Sequence, residues 1–348
     1  MGTFTADELA NIANSLLDFN IKGKAVDQIR QARPMLDRLV KNQKMFPGGK
    51  DLITGAVRGT YTTGIMGFSG DDEVDYGNPT PTKRWAANWY EVHAGIKVTL
   101  TELKHAGISV VDSMRSEKLS NHSEQDLIQL TNLMDEKIYD MMEGSVVSFS
   151  QTMWRDGTQD PALPPGIPAF LSLSPATGVT EGIDRSLNTY WQNRANSAVL
   201  HTTPSDMAIS RLMQQEVRQL KRYKPAAKLY GYMGSGWLDA WEQEARSKGL
   251  LTQNGWSKTG NIDPSIGDFA YKGVEGFVYE PQMDDLGMSN QCYLIDHDAL
   301  RLRVMEGEDW KQHTPARPAE KYVLYRAQTW TGGLTIDQMN SSGRYQLA

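Results

Sequence analysis

Cysteine is almost absent from this sequence: Cys292 is the one thiol in 348 residues. One cysteine cannot form a disulfide within its own chain, so the sequence indicates a fold suited to a reducing compartment. Cys292 stands in an apolar run, which predicts a small buried side chain and not a reactive thiol. Apolar runs of the ~20 residues that a membrane span requires are missing, and the first residues lack the pattern of a signal peptide. We therefore expect no membrane partner.

An excess of positive charge is also absent. The 36 lysines and arginines are outnumbered by 42 aspartates and glutamates, which gives a net charge of -6. A dedicated nucleic-acid-binding protein would present a basic face, so the charge balance argues against that class. The balance does not exclude the wall of a container that encloses DNA without sticking to it, because a mildly anionic wall repels phosphate.

Motifs that mark common catalytic and cofactor sites are missing as well. The sequence has no GxxxxGK[ST] phosphate loop, no HExxH zinc motif and no GxSxG nucleophile elbow. The segment 231–237 lacks the glycine spacing of a phosphate cradle, and helix capping explains Gly234 and Gly236. The six histidines show no ligand-like spacing, and His297, between two aspartates, is predicted to be a turn residue. We expect no catalytic residue, metal or cofactor, although an α/β enzyme with an unrecognised site stays an alternative.

An acidic, turn-rich segment carries four carboxylates: Asp71, Asp72, Glu73 and Asp75. Their spacing resembles a calcium loop, but the sixth position holds Tyr76 where glycine is needed, and the twelfth holds Thr82 where a bidentate glutamate is needed. Two interpretations therefore stay open. The segment is a solvated loop tip, or it is a tip that docks on basic residues of a neighbouring subunit.

Two strand-like runs flank the acidic segment, at 56–68 and 83–103, after a loop rich in glycine and proline. Apolar and polar residues alternate from Tyr90 onward, which predicts a half-buried strand. Together the runs predict a long hairpin with strands of roughly ten residues or more, and such an isolated pair needs a partner surface to be ordered. Trp85, Trp89 and Tyr90 either pack on their own domain or anchor a subunit contact, where aromatic residues are enriched.

Helical patterning is strongest on either side of the hairpin. Residues 6–45 predict an arm of amphipathic helices, broken by Pro34 near Ala32, with little core of its own. Residues 123–156 predict one uninterrupted helix, about 50 Å long at 1.5 Å per residue. A proline-rich stretch at 161–168 predicts a stiff linker and a domain boundary.

Helices and strands mix beyond the linker. Thr203 and Pro204 predict the start of a helix that runs to Tyr223, and a second helix starts at Ser235 or Gly236. Strands are predicted at 228–233, twice around the glycines of 269–281, at 292–305 and at 321–337. The predicted fold class is therefore α+β.

The order of these elements resembles that of the major capsid proteins of tailed bacteriophages, which have the Hong Kong 97-like shell fold. The resemblance covers nearly the whole chain and rests on diffuse patterns, among them GIDRSLNTYWQNR at 182–194, FAYKGVEGFVYEP at 269–281, NQCYLIDHDALRLRVMEGEDW at 290–310 and KYVLYRAQTWTGGL at 321–334. It implies five regions: an N-terminal arm (1–50), an extended hairpin loop (51–100), a peripheral domain with a spine helix (101–159), a mixed α/β axial domain (160–300) and return strands to the peripheral domain with the C-terminus (301–348).

The resemblance implies a structural protein, not an enzyme. It would assemble with itself into hexamers and pentamers of an icosahedral shell around packaged double-stranded DNA. Arm and hairpin would lie over neighbouring subunits. The candidate subunit-interface residues are then Asp71, Asp72, Glu73, Asp75, Trp85, Trp89 and Tyr90.

The same resemblance sets the expected partners and location. Because only residues 1–50 precede the hairpin, we expect a separate scaffolding protein, together with a portal and a decoration protein. The expected location is the virion, after assembly in the bacterial host cytoplasm. Some relatives crosslink a loop lysine to an asparagine, but Lys50 and Lys83 flank this hairpin away from its tip, so we expect no crosslink. An encapsulin-like nanocompartment shell protein is the alternative.

Overall fold

The computed structural model describes residues 31–48, 51–61, 63–73, 76, 81–99, 101–102, 124–247, 273–313 and 323–348, with the backbone alone for 124–135 and 323–324. Its helices are α1 (Pro34–Lys41), α2 (Glu124–Met153), α3 (Ile167–Phe170), α4 (Ala208–Tyr223), α5 (Ser235–Ser247) and α6 (Pro281–Asp285). Its strands are β1 (Lys44–Phe46), β2 (Ile53–Arg58), β3 (Thr82–Ala87), β4 (Tyr90–Thr99), β5 (Val179–Thr180), β6 (Ile183–Asp184), β7 (Arg194–Val199), β8 (Leu229–Met233), β9 (Val274–Tyr279), β10 (Gln291–Asp296), β11 (Leu300–Met305), β12 (Lys311–His313), β13 (Val323–Ile336) and β14 (Gly343–Leu347). The fold is α+β, as predicted.

The long helix α2 contains 30 residues, is free of proline and is about 45 Å long at 1.5 Å per residue. It confirms the predicted helix, although Ser123, where the predicted helix begins, lies outside the described residues. The chain divides into two compact units, and one boundary falls inside this helix, between Ser148 and Phe149. The predicted linker at 161–168 lies within the second unit, where its Ile167 is fully buried.

The first unit includes α2 as far as Ser148, most of β4, β12 and the first part of β13. β12 pairs antiparallel with β13, and β4 pairs with β13 as well. Burial alternates along β4 and reaches 1% exposure at Val98, which confirms the predicted half-buried strand. Gln328 Nε2 donates to Ser145 Oγ at 2.6 Å and fastens the sheet to the helix.

The second unit holds a mixed five-stranded sheet in the order β7-β14-β10-β8-β9. β10 is antiparallel to both of its neighbours, whereas β14 with β7 and β8 with β9 are parallel pairs. Helices α4 and α5 cover this sheet because their apolar residues recur every three or four positions. The side chains that the helices add to the core include Ile209, Met213, Val217, Leu220, Trp237 and Trp241.

A second group of strands in the same unit joins distant parts of the chain. β1 runs parallel to β11, and β11 runs antiparallel to the last residues of β13. Alternate residues of β11 are buried, with Leu300 and Val304 fully inaccessible to solvent. β10 and β11 were predicted as one strand, but a turn at 297–299 separates them.

Two predicted helix limits are also wrong. The arm helix was predicted to reach residue 45, but it ends at Lys41 because the following residues join the sheet as β1. The helix predicted from Thr203 begins at Ala208, where the N–H groups of Ile209 and Ser210 donate to the Glu244 carboxylate at 2.8 and 3.1 Å. Of the two strands predicted at 269–281, the described residues form one, β9.

Candidate subunit interface

A two-stranded ribbon of β2 and β3 carries the hairpin's loop. The strands pair antiparallel in unbroken register from Ile53 opposite Ala87 to Arg58 opposite Thr82. Ladders of six residues replace the longer strands predicted, and β2 occupies part of the predicted loop at 46–58. Position 55 requires glycine, because a Cβ there would lie 2.3 Å from the ring of Trp85 across the ladder.

The inner face of the ribbon is fixed to the second unit by its own chain. Trp85 is 2% exposed, and the guanidinium of Arg303 lies 5.3 Å from its ring centroid. Lys83 Nζ donates to Asn188 Oδ1 at 2.7 Å, and the Ala86 N–H donates to the Glu181 carbonyl at 3.0 Å. The ribbon therefore has a defined base from which its loop projects.

Glu181 is itself held in an unusual setting at the β5–β6 turn, where its φ is 51°. Its Oε1 accepts the N–H of Ile336 at 3.1 Å. Burial raises the pKa of this carboxyl to about 8, and repulsion from Asp337 acts in the same direction against the attraction of Arg303. The ribbon is thus anchored beside a carboxyl group that titrates near neutral pH.

The loop between the strands exposes apolar side chains. Residues 59–61, 63–68 and 73 have no regular secondary structure, although residues 56–68 were predicted as a strand. The exposed fractions are 87% for Tyr61, 105% for Ile65, 50% for Met66 and 68% for Phe68. Such side chains are normally scattered singly on a free surface, so a contiguous group of them indicates a surface that is covered in a complex.

The acidic tip of the loop contains an ordered turn. The Asp72 N–H donates to the Ser69 carbonyl at 3.2 Å, and the Ser69 N–H donates to Asp72 Oδ2 at 2.9 Å. Gly70 has a φ of +54°, which glycine adopts without steric cost. Asp71, Asp72 and Glu73 are exposed, and Asp75 lies outside the described residues.

Comparison with known proteins gives a result at the level of fold. No protein-family model matches the sequence, and no curated protein sequence matches it. The capsid asymmetric unit of cyanophage A-1(L) is similar over 93% of this chain and 96% of that chain, with a TM-score of 0.64 at 13% identity. The capsid of cyanophage P-SCSP1u is similar over 100% of this chain and 99% of that chain, with a TM-score of 0.54 at 10% identity. The capsid of Myoviridae phage XM1 is similar over 100% of this chain and 99% of that chain, with a TM-score of 0.52 at 12% identity.

This chain has the Hong Kong 97-like capsid protein fold. At identities of 10–13% the likeness is one of fold. The resemblance inferred from the order of elements is therefore confirmed for the architecture, and what the chain does with that architecture follows from its own surfaces.

The aromatic interface candidates of this capsid fold lie in different environments. Trp85 is buried, so packing within its own unit accounts for it. Trp89 and Tyr90 lie where the chain passes from β3 to β4 and are half-buried. The ring of Trp89 stacks on Phe46 with centroids 3.7 Å apart. Trp89 and Tyr90 keep some surface that a neighbour could cover, whereas Trp85 does not.

The described part of the N-terminal arm packs on its own chain, which corrects the expectation that all of residues 1–50 lie over a neighbour. Met35 and Leu39 of α1 are fully buried. The Met35 N–H donates to Glu280 Oε2 at 3.2 Å, and the guanidinium of Arg38 lies 3.6 Å from the ring centroid of Tyr230. Residues 1–30 and 49–50 lie outside the described residues.

The Asp-His-Asp segment belongs to the core of the fold. His297 lies in the β10–β11 turn, as predicted, and its Nε2 is 2.6 Å from the Tyr232 hydroxyl. Burial lowers the pKa of His297 to about 4. Asp296 Oδ2 accepts Lys224 Nζ at 2.6 Å. Tyr232 and Lys224 thus hold His297 and Asp296 within the core of the fold.

The described ranges contain no group of three or more His, Cys, Asp or Glu side chains that could hold a metal ion. Within the same ranges, no helix combines the length and apolar character needed to cross a membrane. Cys292 is fully buried, as predicted, and burial raises the pKa of its thiol.

Sequence patterns identified the acidic tip but missed the apolar residues beside it. Tyr61, Ile65, Met66 and Phe68 were assigned to a hairpin strand because they lie in a threonine-rich run. The glycines at 64 and 67 were the available signal against a strand. They break the alternation that would have given one side of the run a buried face.

Proposed function

We propose that this chain is the self-assembling subunit of a protein shell, and that the loop at 59–73 covers apolar surface on a neighbouring copy. The observation that supports this most directly is the exposure of Ile65 and Phe68 in a segment without regular structure. Burial of one such side chain contributes roughly 1.5–3 kcal/mol. One loop per subunit, repeated over a closed shell, gives a large total from weak individual contacts.

The finer features of the proposal come from the capsid fold. The shell would be icosahedral, built from hexamers and pentamers, and would enclose packaged double-stranded DNA in a virion that assembles in the bacterial cytoplasm. The matched structures are named as capsids of phages. A net charge of -6 supports a wall that encloses DNA without binding it tightly. A scaffolding protein, a portal and a decoration protein stay predicted partners.

Assembly of the purified chain tests the proposal. We expect shells in electron micrographs and a fast-sedimenting species in the ultracentrifuge. Replacing Ile65 and Phe68 together by aspartate should abolish both, because it removes apolar area and adds charge at the contact. Thr63→Asp is the matched control, since Thr63 is exposed in the same loop and adds a charge without removing apolar area.

Two outcomes would contradict the proposal. The wild-type chain could remain a small discrete oligomer under all conditions, or the double aspartate variant could form normal shells. The content of particles isolated from cells tests the finer claim, because nuclease-resistant DNA supports a phage capsid. Particles that contain protein cargo would instead indicate an encapsulin-like compartment.

A further inference from the structure

The outer face of the β2–β3 ribbon is a charged surface that the contacts described so far do not use. Residues opposite each other in a ladder share a face, so Arg58 with Thr82 and Ala56 with Arg84 point to the same side. Arg58 and Arg84 are diagonal neighbours there, roughly 7–8 Å apart at the backbone. Both are exposed, and the residues between them are small.

These two arginines differ from four other arginines of the second unit. Arg194, Arg246, Arg301 and Arg303 each form an ion pair with a carboxylate of the same chain. Within the described ranges, Arg58 and Arg84 have no carboxylate within ion-pair distance. The outer face of the ribbon thus offers two guanidinium groups to an external partner, and guanidinium groups bind carboxylates in a defined geometry.

The loop tip has a matching pair of carboxylates. Asp72 is engaged in the turn through Ser69, so its neighbours Asp71 and Glu73 are the groups left to make contacts. Two residues apart, they are at most about 7 Å from each other along an extended chain. This spacing corresponds to that of Arg58 and Arg84.

The loop does not cover the ribbon face of its own chain. Ile65 and Phe68 are 105% and 68% exposed, and Asp71, Glu73, Arg58 and Arg84 are exposed as well. The acidic tip and the basic face are therefore both open on one subunit, with opposite charge. A second copy of the chain supplies the complement for each of them.

We propose that Asp71 and Glu73 of one subunit dock on Arg58 and Arg84 of the next. This inference rests on the proposed self-assembly and names the surface that receives the loop. Each subunit gives a tip and receives one, so the contact is head-to-tail and generates rings or larger arrays, not isolated pairs. Because the ion pairs lie near the surface, we expect assembly to weaken as the salt concentration rises.

Charge exchange between the two surfaces is the test. The tip reversal is Asp71→Arg with Glu73→Arg, and the face reversal is Arg58→Glu with Arg84→Glu. Each should lower the assembled fraction by about tenfold or more, because like charges then meet at every contact. The chain with all four substitutions should assemble near the wild-type level. Arg211→Glu with Lys228→Glu, at two exposed positions, is the control for net charge and should assemble normally.

Mixing the two reversed chains separates a contact between subunits from one within a subunit. The tip of each then matches the face of the other, so the mixture should form rings or arrays in which the two chains alternate, with an even number of chains per ring, although neither chain assembles alone. Failure of both the mixture and the fourfold variant, with each single reversal defective and circular dichroism unchanged, would overturn this pairing but leave self-assembly intact. Normal assembly of either single reversal would overturn it as well. A wild-type chain that forms no shells would instead contradict the proposed function.

Discussion

Glu280 provides a quantitative test of how the arm helix α1 is held. Its side chain is fully inaccessible, and Oε2 accepts the Met35 N–H at 3.2 Å. Oε1 has no hydrogen-bond partner within the described ranges. The pKa of this carboxyl is raised to about 7, mainly by burial and in part by repulsion from Asp37. The N–H of Met35 and the indole of Trp154 act in the opposite direction and lower the pKa. Tyr232 and Tyr279 are the other titratable groups that face it.

The sign of the effect follows from proton binding. In the unfolded chain Glu280 ionises near its ordinary pKa of 4.5, whereas in the folded chain it stays protonated until about 7. Stability therefore falls as the pH rises from 4.5 to 7, and the loss is complete above that. At roughly 1.4 kcal/mol per pKa unit, the ionised side chain costs about 3 kcal/mol.

Glu280→Gln removes this ionisation while it keeps an acceptor for the Met35 N–H. The free energy of unfolding of the unassembled subunit should be measured by urea titration at pH 5 and pH 8. Relative to wild type, the variant should gain about 2–3 kcal/mol between the two pH values, because part of the effect is already present at pH 5. Glu306→Gln, at an exposed position, is the control and should show no such gain.

The comparison must be made between variant and wild type, because His297 acts in the opposite direction. Its pKa falls from 6.5 to about 4 on burial, so it removes stability as the pH falls from 6.5 to 4 and offsets part of the Glu280 effect. If the difference between Glu280→Gln and wild type is the same at pH 5 and pH 8, Glu280 does not titrate as argued.

Three further outcomes are expected. Trp85→Ala should lower the free energy of unfolding by about 3–5 kcal/mol in urea titrations, because a fully packed indole is lost. Glu244→Ala should cost about 1–2 kcal/mol in the same assay, since the N–H groups of Ile209 and Ser210 lose their acceptor. Cys292 should react with a thiol-reactive probe only as fast as the chain unfolds, and rapid labelling of the folded subunit would contradict its burial.

Local sequence patterns predicted the elements whose structure depends mainly on their own residues. The absence of proline between residues 124 and 153 allows a long helix, and α2 has that extent. The alternation of apolar and polar residues from Tyr90 onward predicted β4, because residues two apart share one face of a strand. The predicted end of α4 at Tyr223 is also the end that the structure shows.

Long-range contacts decided the elements that patterns assigned wrongly. The carboxylate that caps α4 belongs to Glu244, 35 residues from Ile209. The capping pattern at Thr203 therefore predicted the wrong start, because the group that caps the helix is distant in sequence. α1 was assigned to an arm without a core, but its apolar face is buried and Glu280, distant in sequence, holds its first turn. A proline-rich stretch likewise joined a core through Ile167, whose partners lie elsewhere in the chain.

The candidate interface was predictable in outline only. The acidic tip was visible because charge is a property of the sequence. The ribbon face that we propose as its receptor could not be predicted, because it depends on the pairing register of β2 with β3. Arg58 and Arg84 share a face because Arg58 pairs with Thr82, and a shift of one residue would place them on opposite faces.

The fold and the proposed contact place separate demands on the sequence, and this leads to a final prediction. A fold shared at 13% identity shows that many side chains can satisfy the same core pattern. Asp71, Glu73, Arg58 and Arg84 are exposed and lie outside that core, so their signs can change together without altering the subunit. A chain with all four charges reversed should therefore assemble with itself, yet its tip and face should repel those of the wild-type chain. When the two chains are labelled with different fluorophores and assembled together, they should form separate shells. Mixed shells in proportion to the two concentrations would show that these four residues do not determine which subunits meet.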